Sequence, residues 1–526
     1  MRKWALLLIL LIAAGAIFAG CAQNKAQNQV SSVAKNKTSQ SVQASSVVIG
    51  VTDKVTDLDP ANAYDAFTWE ILENTMVGLV KYKPGTLKIE PALAESWEVK
   101  NNSTVWIFHL RKGLKFSDGT PLTAKNVVWS IERVMRIKGD PSWLVTDFVK
   151  KVVAENNTTV IFYLKHPTSY FLALLTTPPY YPVNPKYSPD KIDSDQTAGG
   201  AGPYKIVKFV RGQEIVLEAN PYYFGQKPKT QKIIVRFYRD ATTMRLALQN
   251  GEIDVAWRTL RPSDIISLEK SNFNVVKVPG TYIRYLCFNV KKEPTSSVLV
   301  RRALAAAINR SEIASMVYRG TVEPLYSLIP NGMWSHLDVF KKYGDGNVKL
   351  AQQLLEKAGY SKSNPLHIQL WYTPTHYGDT EADLAQMIKS QWESTGMVKV
   401  TIKSAEWGTY VDYARKGQMQ AYLLGWYPDY LDPDDYTTPF LSSTANTWAG
   451  TGFANKTVDS LLKKAQQIPN QDERAKIYEE VQKILADQVP YVPLVQGNLF
   501  VVTKPNVHGV TVGPDMVMEY AYLYRT

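Results

Sequence analysis

The chain has 526 residues, 45% of them hydrophobic, with a formal net charge of +12 and two cysteines. So few cysteines exclude a disulfide-stapled scaffold. Lysines dispersed without an arginine-rich run or a basic helix argue against nucleic acid as a partner.

In chain order, the first feature is "MRKWALLLILLIAAGAIFAGC". Arg2 and Lys3 precede an apolar run from Trp4 to Ala19 that is too short for a comfortable membrane span and has the shape of a secretory signal, residues 1–20. The run closes on "FAGC", which resembles the lipobox of bacterial lipoproteins. That resemblance implies cleavage before Cys21 and its lipidation, hence an exported protein anchored to the cell membrane and facing the periplasm or the cell exterior. Residues 21–46 continue with Ser, Gln, Asn and Lys and no acid or aromatic, a composition that cannot bury enough apolar surface to order itself and reads as a tether.

About 480 residues follow, room for about two or three domains. "SVVIGVT" (46–52) has a buried-strand pattern, and "TWEILENTMVGLV" (68–80) reads as a helix running into a strand. Strands are expected within 103–116, at 158–164 and at 213–220. From residue 285 the helical segments lengthen. "LVRRALAAAINRSEIASMVYRG" carries Leu299, Val300, Ala303, Leu304, Ala307 and Ile308 on one face and is expected to run as one helix to Gly320. In 471–488, Ile477, Tyr478, Val481, Ile484 and Leu485 form a stripe behind an acidic first turn. Strands at 367–373 and 398–404 alternate with helices, so the class is α/β. "VPYVPLVQGNLFVVTKP" is again strand-like, and its likeness to the first strands predicts that the chain returns to its first lobe. Cys287, in "YIRYLCFNV", is expected to be a buried structural cysteine.

Catalytic and cofactor signals are missing. There is no G-x-S-x-G elbow, H-E-x-x-H, C-x-x-C or P-loop. "GTGFAN" (450–455) starts like a dinucleotide loop but has Asn455 where the third glycine belongs. Six scattered histidines make no metal-ligand spacing. The acids of "GWYPDYLDPDDY" (425–436) imitate the start of a calcium loop, yet Pro433 interrupts it and Phe440 stands where a bidentate Glu is needed. Neither cofactor nor metal is expected. Two carboxylates in one turn do not identify a glycosidase, so an exported hydrolase is the weaker alternative. With 13 Trp, 30 Tyr and 16 Phe, recognition is the stronger reading, because Tyr and Trp bury area while keeping a polar handle.

"LAESWEV…WIFHLRKGLKFSDGTPLTAKNVVWSIERV" resembles the signature region of the family 5 extracellular solute-binding proteins, the oligopeptide, dipeptide and nickel receptors of ABC importers. The resemblance continues through "GAGPYKIVKFVRGQEIVLEANPYYFG", "RLALQNGEIDVAW", "GWYPDYLDPDDYTTPFL" and "YEEVQKILADQVPYVPL", in order along nearly all of 47–510. It implies a two-lobed, type II periplasmic-binding-protein-like α/β fold with an extra domain inserted in the first lobe. The first lobe is expected at 47–88, 198–282 and 495–526, the inserted domain at 89–197 and the second lobe at 283–494. It also implies a non-enzymatic receptor, a monomer, working with an ABC permease and ATPase.

In peptide binders of this family an aspartate three residues after the Trp of "GW" holds the ligand's α-ammonium group, and Asp429 occupies that position. A carboxylate meeting an ammonium makes a charge-assisted hydrogen bond, about twice as strong as a neutral one. Trp426 and Trp407 match ring positions lining the family's pocket, and Tyr64 with Asp65 falls in the facing loop of the first lobe. Extended backbone at Gly425, Trp426 and Tyr427 is expected to pair with a peptide main chain. Asp432, Asp434 and Asp435 are expected to cap and turn the chain. Ala414 and Leu423 stand where a tripeptide-binding member carries arginines for the ligand carboxylate, which leaves the cargo open between peptide, oligosaccharide such as a β-glucan, and metal chelate.

Overall fold

The computed structural model describes residues 46–55, 57–193, 199–374, 376–378 and 380–526. The signal segment, Cys21 and all but the last residue of the expected tether lie outside these. Ser46 already belongs to the first strand, Ser46–Val51, one residue inside the expected tether.

One sheet of eleven strands runs through the molecule. From one edge its order is Val398–Ser404, Leu366–Tyr372, Ala421–Trp426, Asn274–Phe288, Tyr491–Thr503, Val255–Trp257, Ser46–Val51, Lys232–Phe237, Glu214–Ala219 and Tyr204–Val210, with Val322–Pro324 also paired to Tyr491–Thr503. Ser46–Val51 is parallel to both its neighbours. A strand covered on both faces needs an unbroken apolar run, which is what "VVIGV" supplies. Two large cores flank the sheet, beside a smaller one formed by residues 244–268 with Val502. One is built from residues 283–495 together with Tyr82, the other from 47–278 and 499–523 together with Tyr430. The two-lobed α/β class read from the sequence is therefore the observed one, and the C-terminal segment does return to the core that contains the first strand.

Within 89–197 a separate antiparallel sheet orders Ala94–Lys100, Val105–Leu110, Thr159–Leu164 and Val149–Ala154, with helix Ala124–Ile137 against it. From that helix Arg133 reaches Asp59 with two hydrogen bonds, 2.8 and 2.5 Å, both side chains being buried. Asp57 and Asp59 in turn accept the backbone N–H groups of Asp59 and Ala61. This clamp fixes the loop that leads into Tyr64.

The expected helix through 299–320 is interrupted. Helix Val298–Ala307 ends at Ile308, whose ψ of 125° is extended, and Asn309 then caps a new turn by accepting the Glu312 N–H. Gln391 bonds both the N–H and the carbonyl of Asn309, so a distant side chain satisfies the broken backbone. The apolar stripe marks a buried face and carries no information about that partner.

The two long strands, Asn274–Phe288 and Tyr491–Thr503, are the elements common to both cores. Residues 274–279 pair with 498–503 and residues 283–287 with 491–496, with the register broken between Pro279 and Ile283 and shifted again between Arg284 and Tyr285. A Cβ on Gly280 would stand 2.8 Å from the Gly497 carbonyl oxygen, and a Cβ on Gly497 would be driven into the Tyr282 ring. Overpacking of this kind predicts that Gly497→Ala lowers stability by about 1–3 kcal/mol. Gly408→Ala, at an open helical site, should be neutral or stabilising by up to about 1 kcal/mol. Denaturant titration separates the two, and an unchanged midpoint for Gly497→Ala would contradict the packing described.

Candidate functional site

Strand Ala421–Trp426 delivers the candidate residues. On one side it pairs with residues 283–288 throughout, while on the other the parallel ladder with Leu366–Tyr372 ends at Tyr422. Gly425 lies opposite Arg284. A Cβ at Gly425 would collide with Arg284 Nη1 and stand 2.9 Å from the Tyr377 ring, so only glycine fits beneath these two side chains. Tyr285 and Tyr377 both donate to the Gly425 carbonyl at 3.3 Å. Arg284 is itself ion-paired with the buried Glu381 and covered by the Tyr377 ring, 3.8 Å from its guanidinium carbon.

After Trp426 the chain enters the acidic turn. Asp432 caps the short helix Pro433–Tyr436 and receives Arg474 from helix Gln471–Gln488 at 2.6 and 3.0 Å, both side chains being buried. Asp434 accepts from the hydroxyls of Tyr430 and Thr438 at 2.9 and 2.8 Å. Asp435 does more than turn the chain. One of its oxygens accepts the Trp426 indole N–H at 3.0 Å and the Asp429 N–H at 3.1 Å, tying the two candidate ligand residues to one buried carboxyl group. Its other oxygen is buried with no hydrogen-bond partner among the described residues.

Asp429 meets Tyr64 of the other core's loop, whose hydroxyl donates to it at 3.1 Å. Tyr64 is 41% exposed and leans on Trp69. Asp65 beside it caps helix Ala66–Thr75 and accepts the Thr68 N–H and hydroxyl at 2.8 and 2.6 Å, so its carboxylate serves that helix. The same turn is held further by stacking of Tyr430 on Tyr170 at 5.3 Å and by donation from the Leu431 N–H to Tyr82 at 3.2 Å. Asp429 thus sits in a junction between the two cores.

The rings separate into two groups. Trp426 turns into the interior, edge-on to Phe440 at 5.1 Å and beside Trp448 at 5.3 Å. Trp407 opens helix Trp407–Arg415 and stacks on His376 at 3.6 Å, with Tyr377 against its edge. Tyr427 is 41% exposed and stacks on Tyr282. Of the residues expected from sequence, the structure joins Tyr64, Asp429 and Trp426 through hydrogen bonds and links Trp407 to Gly425 through Tyr377. Sequence reading missed His376, Tyr377, Arg284 and the anchoring part of Asp435. The run "WYTPTHY" is rich in rings, but nothing in it announces contact with residue 425.

Burial pushes the Asp429 carboxyl up to about 7, against a downward pull from the Tyr64 hydroxyl. Burial, and then the neighbouring Asp429 charge, pushes Asp435 well up as well. Burial and the nearby Arg284 hold His376 down to about 4, so its ring is neutral at physiological pH. Among the described residues no cation pairs with Asp429. A carboxyl raised from its unfolded value of about 4 to about 7 lowers stability progressively across that window, and by a constant amount above it. Asp429→Asn is therefore expected to stabilise the ligand-free protein, with a gain that grows from about pH 4 to about pH 7 and then levels off. Thermal unfolding across that range reads it, and a gain independent of pH would contradict the charge argument.

The sequence model of the bacterial extracellular solute-binding proteins, family 5 Middle, matches residues 88–448. A dipeptide-binding protein of Escherichia coli K12 is 29% identical over 83% of this chain and 86% of its own length. Heme-binding protein A of Haemophilus influenzae is 28% identical over 96% of each chain. Among solved structures, the ABC transporter-associated periplasmic binding protein of Helicobacter pylori in complex with the peptide STSA superposes with a TM-score of 0.77 at 27% identity, over 91% of this chain and 98% of that one. The match runs through most of the chain and agrees with the two-core architecture, so the chain belongs to the bacterial extracellular solute-binding proteins of family 5.

Proposed function

We propose that this protein is the extracytoplasmic receptor of an ABC importer that captures oligopeptides between its lobes and delivers them to a membrane permease served by an ATPase. The observation that carries the reading is Asp429, a carboxylate held between the two cores with a tyrosine hydroxyl as its side-chain partner and, among the described residues, no cation. A peptide ammonium supplies the missing positive charge, and low local dielectric strengthens the pair. Backbone at 425–427, beyond the point where the parallel ladder stops, offers an edge for a peptide strand. The dipeptide-binding and peptide-complexed relatives support the same cargo class. An oligosaccharide cargo would need stacking platforms, and with Trp426 packed against Phe440 and Trp448 only Trp407 of the two candidate tryptophans offers one.

Capture by closure needs two lobes and a hinge. The lobes assigned are 47–88, 198–282 and 495–526 for the first, with 89–197 inserted, and 283–494 for the second. The register break between Pro279 and Ile283 is the natural hinge, because it interrupts the ladder of the two strands common to both cores. The working form is a monomer, tethered by residues 21–45 and anchored through a lipid on Cys21.

In calorimetry with trialanine, Asp429→Asn should weaken binding by about 2–5 kcal/mol, roughly 30-fold to several thousand-fold. N-acetylation of the peptide should cost the native protein a similar amount and cost Asp429→Asn little more, because both changes remove one interaction. Additive losses would sink the ammonium anchor. Tight binding of cellotetraose, abolished by Trp407→Ala, would replace the peptide reading with the sugar one.

The anchor has its own test. Cys21→Ser should prevent incorporation of labelled palmitate and release the protein from the membrane fraction, while label still entering the variant would overturn the lipid assignment.

A further inference from the structure

Residues 219–232 read "ANPYYFGQKPKTQK", three rings and three lysines with no acid. The segment links strand Glu214–Ala219 to strand Lys232–Phe237. Asn220 turns it by donating to the Gly202 carbonyl at 2.8 Å and accepting the Tyr222 N–H at 2.9 Å. Lys227 folds its ammonium back onto the Pro221 and Tyr223 carbonyls at 2.6 and 3.0 Å, and the Lys229 N–H donates to the Ala521 carbonyl at 3.1 Å. Held in this way, the loop leaves Tyr222 44% and Phe224 37% exposed.

Cations gather round these rings. Lys115 stands over Tyr222 at 5.3 Å, Arg111 over Phe224 at 5.7 Å and Lys229 over Tyr524 at 4.4 Å. The neighbouring acids have partners: Glu90 meets Lys81 at 3.5 Å, Glu218 meets Lys232 at 3.6 Å and Asp118 meets Lys186 at 3.9 Å. Glu519 lines a cavity with Tyr223 and Phe224. Arg111, Lys115, Lys227 and Lys229 thus leave an excess of positive charge among exposed rings. Tyrosine sits well at a membrane surface, apolar body inward and hydroxyl in the headgroups, and an anionic lipid surface attracts each nearby Lys or Arg.

The place of the patch in the fold decides its occupant. Lys232 pairs with Ser46 on one side and Glu218 on the other. The chain before Ser46 therefore leaves the body about 5 Å from the end of the loop. Residues 21–45 span at most about 90 Å when fully extended, so a tether alone keeps the body near a bilayer without setting its orientation. A basic patch beside the point of exit supplies that second attachment. Strand Ser46–Val51 runs from this end toward the cleft, and Val51 leads into the loop that carries Tyr64.

We propose that this end of the first lobe lies on the surface of an anionic bilayer. Tyr222 and Phe224 seat among the headgroups, and Arg111, Lys115, Lys227 and Lys229 face the lipid phosphates. The cleft then opens away from the membrane and takes its cargo from the medium, and delivery requires the patch to let go. The proposal rests on the lipid anchor inferred above for its nearness to a membrane, and the identity of the cargo plays no part in it.

Hydrogen–deuterium exchange on the lipidated chain, in vesicles of phosphatidylcholine alone or mixed with anionic phosphatidylglycerol, tests this. Amides of 219–231 should exchange several-fold more slowly on the anionic vesicles, and added salt should remove the difference. Amides of 425–429 should exchange alike on both. Tyr222→Ser with Phe224→Ser should abolish the slowing and leave trialanine binding unchanged. Lys115→Gln with Lys229→Gln should weaken the contact by about fivefold for each charge removed. Equal exchange of 219–231 on the two vesicles in native protein, or slowing that survives both pairs of substitutions, overturns the proposal. So does slowing centred on 425–429. Slowing that appears only when the permease is present makes this face a protein-docking surface and overturns the lipid occupant. Native protein that does not stay with neutral vesicles overturns the anchor on Cys21 alone, and the same comparison is then made with protein added to anionic vesicles. If the ring variant does not fold, the lysine pair decides.

Discussion

The structure depends on one pair of strands. Asn274–Phe288 and Tyr491–Thr503 lie side by side in the middle of the sheet, and each contributes to both cores. Their ladder runs in two halves broken between Pro279 and Ile283, and the second half carries a further shift between Arg284 and Tyr285. Backbone pairing over each half resists shear, because every residue there shares in a cooperative set of hydrogen bonds. The break, lined by Gly280 and Gly497 with the Tyr282 ring laid across them, is the place where that set is interrupted. Tyr282 also stacks on Tyr427, so the same crossing packs directly against the wall of the site. Any relative motion of the cores must be absorbed here, and any ligand that touches both walls resists it.

Charges near this crossing divide by whether they have a counterion. Arg133 with Asp59 and Arg474 with Asp432 are buried, hydrogen-bonded pairs that position the two loops meeting at the junction. Losing one partner of such a pair strands a buried charge and costs about 3–5 kcal/mol, so these residues act as structure. Asp429 and Asp435 differ, since the Asp429 backbone N–H donates to Asp435 and the Tyr64 hydroxyl to Asp429, and among the described residues no cation pairs with either carboxyl group. The fold holds them at the expense of its own stability. Unfavourable electrostatics tolerated at one place in an otherwise satisfied polar network is a common mark of a binding site, where the ligand completes what the protein leaves open.

Binding in such a cleft is a matter of difference between states. A ligand that contacts one wall binds open and closed forms alike and shifts nothing, whereas one that contacts both favours the closed form by the energy of the second contact. Tyr64 already bridges the cores through Asp429. On the proposed reading, an ammonium arriving at Asp429 meets a carboxyl group that burial has raised to about 7, so capture is expected to couple to release of a proton.

The sequence by itself determined the class of the protein. Apolar runs such as "VVIGV" and the stripe of 471–488 specify which faces are buried, and Cys287 is the buried residue its neighbours implied. The position of Asp429 after "GW" was legible because a local motif carries it. Only the tertiary structure decided what each residue meets. The helix expected through 299–320 breaks because Gln391 satisfies Asn309 from another element. Asp65, expected beside the ligand, serves as a cap, and Trp426 turns inward, since side-chain direction follows from packing across strands. Asp435 reads from the sequence as one more turn residue, whereas its bonds to Trp426 and Asp429 make it an anchor for both. Periodicity reports which side of an element is buried, but contacts between residues hundreds of positions apart, such as Tyr64 with Asp429, exist only once the chain has closed.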